Sequence, residues 1–134
     1  MRTIKNVLII VFISMVTFSC NSDDDSSGIN SNQIIGTWRY TSSTTNGVAE
    51  TLDDCELMET LTFTSDEVTF TIFEGDDCSV IDSETISYSI SGNNISTTFG
   101  GETFTTEIET LNSTTLTLKE TDDGDVYTDT YTKI

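Results

Sequence analysis

From Gly36 onward the chain is written in short runs with apolar side chains at every second position, each run closed by Gly, Asn, Asp or Ser. Alternation with period two sends successive side chains to opposite faces of an extended backbone, so each run specifies a half-buried strand. Proline, which would interrupt a hydrogen-bonded ladder, is absent. Threonine, which suits a pleated surface, is abundant. No stretch keeps helical spacing for long. Eight strands are expected, near 36–42, 59–64, 67–74, 83–90, 94–99, 102–109, 114–120 and 125–133, preceded by a single helical turn at 32–35.

The turns decide whether these strands share one apolar face, because a slip of one residue reverses every side chain. A Ser65-Asp66 turn sets Phe63 opposite Val68 and Leu61 opposite Phe70. A turn over 91–94 sets Ile90 opposite Ile95 and Ile86 opposite Phe99. Gly100-Gly101 tolerates the positive φ of a two-residue hairpin and carries the same face to Phe104 and Ile108. A loop at 111–113 places Leu116 opposite Ile108 and Leu118 opposite Thr106, and a loop at 121–124 places Tyr127 opposite Leu118. The expected fold is therefore all-β, an eight-stranded antiparallel up-and-down barrel made of consecutive hairpins. Asp129 and Tyr131 fall on the inner face of the last strand in this register. Either Asp129 is an inward polar anchor, or a bulge turns it to water; the cost of burying an unpaired carboxylate favours the bulge.

The first 19 residues read differently. Arg2 and Lys5 precede an apolar run at 7–18, and small Ser19 stands before Cys20, which is the layout of a cleaved export signal. The run is too short to cross a bilayer core of about 30 Å. Residues 17–20 resemble the bacterial lipobox, in which a small residue precedes the lipid-modified cysteine, although Thr17 and Phe18 are looser than the usual pattern. The acids Asp23, Asp24 and Asp25 resemble the surface-export signal of Bacteroidota lipoproteins. That resemblance implies acylation at Cys20 and an outer-membrane lipoprotein facing the cell exterior, its membrane partner reached through the acyl chains. The expected organisation is a signal peptide at 1–19, a flexible acidic tether at 20–31 with little to bury, and one domain at 32–134.

Cys55 and Cys78 flank the hairpin of the second and third strands. Extending that pairing brings Cys55 opposite Asp76, two positions from Cys78 on the same face, so an exported chain is expected to join the two cysteines. All 23 acids lie beyond the signal, against only Arg39, Lys119 and Lys133 among the bases. Nucleic-acid partners, which require phosphate contacts from Lys and Arg, are excluded, and a monomer kept soluble by its charge is expected.

Ile34-Ile35-Gly36-Thr37-Trp38 resembles the Gly-x-Trp entry of lipocalins, which follows a short helical turn and opens the first strand. With the eight alternating runs, the two cysteines and the ending Tyr131-Thr132-Lys133, residues 33–134 are similar to the lipocalin-like lipoproteins of Bacteroidota. The resemblance implies a lipocalin-like barrel in which Trp38 plugs the closed end and Lys133 lies over it.

An eight-stranded barrel is just wide enough to fill itself or to hold one small molecule. Phe63, Phe70, Ile72, Tyr88, Phe104, Ile108, Leu118 and Tyr127 are the candidates to line such a cavity. Histidine is absent, and no nucleophile or phosphate-loop pattern occurs, so neither an enzyme nor a cofactor is expected. Asp122, Asp123 and Asp125 are a weak calcium candidate, set against the plainer reading of solvated turn acids. Two functions follow: a surface lipoprotein binding a small apolar or amphipathic molecule, or a filled barrel acting as an interaction or structural module that contacts protein or glycan through acidic loops. An apolar cavity of about 300 Å³ or more favours the first. A packed interior with an exposed aromatic patch favours the second.

Overall fold

A computed structural model describes residues 29–134. The signal peptide, Cys20 and most of the tether lie outside the described residues. Among those described, no helix is long and apolar enough to cross a membrane.

A single helical turn, α1 (Ser31–Ile34), opens the domain, its first turn capped by Asn30, whose side chain accepts a hydrogen bond from Asn32 N at 3.1 Å. The strands follow as β1 (Gly36–Thr45), β2 (Val48–Ala49), β3 (Thr60–Phe63), β4 (Glu67–Glu74), β5 (Ser79–Ser91), β6 (Asn94–Phe99), β7 (Glu102–Leu111), β8 (Thr115–Asp122) and β9 (Asp125–Lys133). From β3 onward each strand pairs with the next, β3 pairs back to β1, and β1 pairs with β9. Eight strands thus close an antiparallel barrel, and closure removes the open edges on which sheets aggregate. β2 is a short addition to the tip of β1, reached through an Asn46-Gly47 turn in which both residues have positive φ.

The first three expected pairings hold: Leu61 faces Phe70, Phe63 faces Val68, and Ile90 faces Ile95. Phe104 faces Thr97 across the Gly100-Gly101 turn. The β5–β6 ladder stops at Tyr88 and Thr97, so the expected pair of Ile86 with Phe99 does not form. Two hairpins differ from expectation. A bulge between Ile108 and Thr110 lets Ile108 face Leu118, and Leu116 faces Leu111 instead of Ile108. The extra residue brings Leu111 onto the inner face and moves the turn to 112–114, where Asn112 Oδ1 accepts hydrogen bonds from Thr114 N and Thr115 N at 2.9 Å each. In the last hairpin Asp122 faces Asp125, and the turn is Asp123-Gly124 with φ of 47° and 95°. An Asp-Gly pair suits this left-handed two-residue turn, and it shortens the loop so that Tyr127 faces Glu120 rather than Leu118.

One end of the barrel is sealed. Ile34, Trp38, Leu61, Phe63, Val68, Ile95, Ile108 and Leu116 form the buried core. Trp38 is wholly buried, and its indole Nε1 donates to Ile34 O at 2.6 Å, tying α1 across the floor. Lys133 Nζ lies 4.9 Å from the Trp38 ring centre and donates to Gln33 O at 3.1 Å. Gly36 has φ of 129°, a backbone conformation that favours glycine, and a Cβ there would stand 2.8 Å from Lys133 Cε and displace the lysine from its place over Trp38.

Cys55 and Cys78 form a disulfide across 23 residues, with Cα atoms 4.9 Å apart. Cys55 is not on a strand, because the β3–β4 pairing ends at Thr60 and Thr71. It precedes a 3-10 turn (Glu56–Met58), whose N-terminus is held reciprocally by Asp53 and Glu56: Asp53 Oδ1 accepts from Glu56 N and Glu56 Oε2 accepts from Asp53 N.

Trp38→Ala is expected to destabilise the domain by about 3–5 kcal/mol in chemical denaturation, since it removes a fully buried indole and its hydrogen bond. An unfolding midpoint equal to wild type would refute the plug.

Candidate functional site

The opposite end of the barrel is open, and the inward side chains there change from aliphatic to aromatic and acidic. On β9 the alternation Tyr127, Asp129, Tyr131 faces Glu120, Leu118 and Leu116 of β8. On β1 a bulge at Thr41 separates Tyr40, which faces Tyr131, from Ser43, which faces Asp129. The bulge is thus on β1 and not on β9. Asp129 points inward, against the expectation that it turns to water.

Its burial is compensated locally. Tyr40 Oη donates to Asp129 Oδ1 at 2.9 Å, and the Tyr40 and Tyr131 rings lie 5.2 Å apart between centres. Burial is the main cause that pushes the Tyr40 phenol up to about 12; its bond to Asp129 and that carboxylate's charge add to the shift, and Ser43 opposes it. Burial likewise drives the Tyr131 phenol far above its ordinary value, with Asp129 the next contributor. Glu59, entering β3, is also raised, first by burial and then by Glu56 and Asp53.

These side chains border two connected spaces. An inner cavity of about 190 Å³ is bordered by apolar Leu61, Phe70 and Leu118 and by Glu120, Tyr127, Asp129 and Tyr131, with Leu118 and Asp129 paired across adjacent strands. A wider mouth of about 640 Å³ shares Glu120, Tyr127 and Asp129 and adds Tyr40, Ser43 and Phe104. The interior is therefore neither a dry apolar chamber nor fully packed. The rim carries apolar surface: Phe99 is 52% and Phe104 45% exposed.

Of the residues proposed as cavity lining, Phe70 and Leu118 border the inner space, Tyr127 borders both spaces, and Phe104 borders the mouth. Ile72 lines a separate recess with Phe70, Asp82 and Glu84. Phe63 and Ile108 belong to the sealed core, where packing at the closed end leaves them no free face. Tyr88 is also at that end, edge-on to Phe63 at 5.2 Å, its hydroxyl donating to Thr64 O at 2.6 Å. Tyr40, Glu120 and Ser43 are among the lining residues that sequence reasoning missed. Tyr40 stands two residues beyond Trp38, and strand alternation alone places it on the same face.

Asp122, Asp123 and Asp125 surround the tight Asp123-Gly124 turn, and Asp125 Oδ1 accepts a hydrogen bond from Asn46 Nδ2 at 2.8 Å. Among the described residues, no three His, Cys, Asp or Glu side chains are grouped closely enough to hold a metal ion.

Residues 34–118 match a family model described as a lipocalin-like domain. Among solved structures, the chain is similar to a lipocalin-like protein from Bacteroides uniformis ATCC 8492, with a TM-score of 0.60 and 16% identity, over 76% of this chain and 99% of that one. No curated protein matches.

The raised phenols make stability depend on alkaline pH. The folded chain holds the Tyr40 proton more tightly than an unfolded chain, whose phenol sits at 10, so this contribution is intact below pH 10 and is lost as pH rises through about 12. Ultraviolet difference titration is expected to show Tyr40 ionising near 12. Asp129→Asn should bring that value down part of the way, because burial remains; an unchanged titration in the variant would refute the Tyr40–Asp129 coupling.

Proposed function

The chain belongs to the lipocalin-like domain family, and from that membership we propose that it is a non-catalytic, lipid-anchored envelope protein whose open end binds one small amphipathic molecule. The observation that carries the reading is the inner cavity, bordered by Leu61, Phe70 and Leu118 together with Asp129 and Tyr131. An apolar body is favoured against the first group, and hydrogen-bonding or charged atoms against the second. At about 190 Å³ the space suits a small molecule or one end of a longer one that continues into the mouth. Sealing of the far end by Trp38 and α1 gives one entrance. Ligand exchange then occurs only past Phe104 and Tyr127.

The anchor is part of the same reading. Acylation of Cys20 would hold the domain at the outer membrane on the acidic segment that follows it, with more than one chain needed for stable attachment. The rim aromatics Phe99 and Phe104 favour the second reading, an interaction module that docks a partner by its mouth.

Native mass spectrometry of the protein purified from its membrane is expected to show a co-purifying small-molecule mass that is absent from Leu118→Trp, a variant that fills the inner cavity. A folded wild-type protein carrying no mass, and binding no amphiphile when titrated, would overturn the carrier in favour of the module. Separately, Cys20→Ser is expected to lose membrane attachment on cell fractionation; a variant that remains in the membrane fraction would overturn the anchor without touching the barrel.

A further inference from the structure

Closure removes the terminal edges of the sheet, yet β5 outruns the strand on one of its sides. β4 pairs with it from Ser79 to Ser87, with a bulge at Ile81, whereas β6 pairs with it only from Tyr88 to Ser91. β6 ends at Phe99 and turns back into β7, so among the described residues no strand is paired along the second edge of 79–86. Residues 79–85 are accordingly all exposed.

The backbone of this edge is aimed outward. Tyr88 N donates to Asp66 O at 2.9 Å, which extends the β4–β5 ladder by one step. Antiparallel ladders alternate, so Glu84 and Ile86 also bond toward β4, and the N–H and C=O groups of Ser83 and Thr85 point away from it at the free edge. Edges of this kind take up an extended segment as an added strand.

The side chains beside the edge select what it takes. Asp82 and Glu84 pair with Ile72 and Phe70 of β4, and these four border a recess of about 240 Å³. Phe70 and Ile72 are half-buried there and the two carboxylates are exposed, which suits the aliphatic stem and charged head of lysine or arginine. A second copy of this chain does not fit. A two-fold axis at Ser83 sets Asp82 of one copy opposite Glu84 of the other, and an axis at Glu84 sets that residue opposite itself; like charges so placed repel.

We propose that β5 is a docking edge for a basic, extended segment of a partner protein, which adds to the sheet antiparallel to β5. Its backbone pairs with Ser83 and Thr85, and its lysine or arginine side chains opposite Asp82 and Glu84 enter the recess. This surface is independent of the carrier reading, because no residue of β5 borders the inner cavity.

Titration of the purified protein with fluorescein-labelled eight-residue peptides, read by anisotropy, tests this. A peptide alternating lysine and threonine is expected to bind, and its counterpart with glutamate in place of lysine is not. In the proposed register the threonines stand opposite Ser83 and Thr85 and turn their N–H groups to β5, while the lysine N–H groups point away. N-methylation of the threonines should therefore weaken binding about tenfold or more, and N-methylation of the lysines should change it by less than about twofold. Thr85→Pro removes an outward N–H while leaving the backbone ladder to β4 in place, and it is expected to weaken binding about tenfold. Should that variant not fold, the two methylated peptides still decide on wild type. Equal losses for the two would mean attraction by charge alone and would overturn the docking edge, as would failure of the lysine peptide to bind. Equal binding of the glutamate peptide would overturn the basic partner. Dimerisation in sedimentation that the lysine peptide displaces would give the edge to a second copy instead.

Discussion

Closure of the sheet by β1 against β9 is the constraint on which the rest depends. The pair joins residues nearly a hundred positions apart in sequence, and it sets Trp38 opposite Lys133 at one end and Ser43 opposite Asp129 toward the other. Such a long-range pairing costs loop entropy that only the completed core repays. It also creates the asymmetry of the interior. At the Trp38 end the aliphatic core and α1 meet across the barrel axis, whereas toward the other end the inward side chains border space.

The bulge at Thr41 shows how one residue redistributes function. Without it, every residue of β1 beyond Tyr40 would slip by one position against β9 and change faces. With it, Tyr40 keeps its place beside Tyr131 and reaches Asp129, while Ser43 follows inward. The carboxylate thus acquires its one donor from a neighbouring strand, and a polar group that the core could not bear is tolerated near the mouth.

Much of the architecture was legible in the chain. The eight runs, the Gly100-Gly101 hairpin and the pairing of Phe63 with Val68 follow from alternation and turn chemistry, both local properties. The Cys55–Cys78 disulfide was legible too, although Cys55 lies in a capped turn and not on an extended strand. The errors fell at bulges and tight turns. Alternation alone puts Leu111 in a loop, since the extra residue at Glu109 leaves no mark in it, and it sets Tyr127 against Leu118, since nothing local distinguishes a tight Asp123-Gly124 turn from a longer loop. Phe63, Tyr88 and Ile108 are cavity candidates by sequence and core residues by structure, because alternation gives the inward face but not the depth along the barrel axis.

That distinction separates the two sources of information. The sequence by itself determined that the chain makes strands, which face of each is apolar, and which neighbouring strands pair, because these depend on contacts a few residues apart. Only the tertiary structure decided which end is sealed, that Asp129 is inside and that Tyr40 meets it, because those facts depend on β1–β9 closure and on bulges whose positions are set by the fit of the whole barrel.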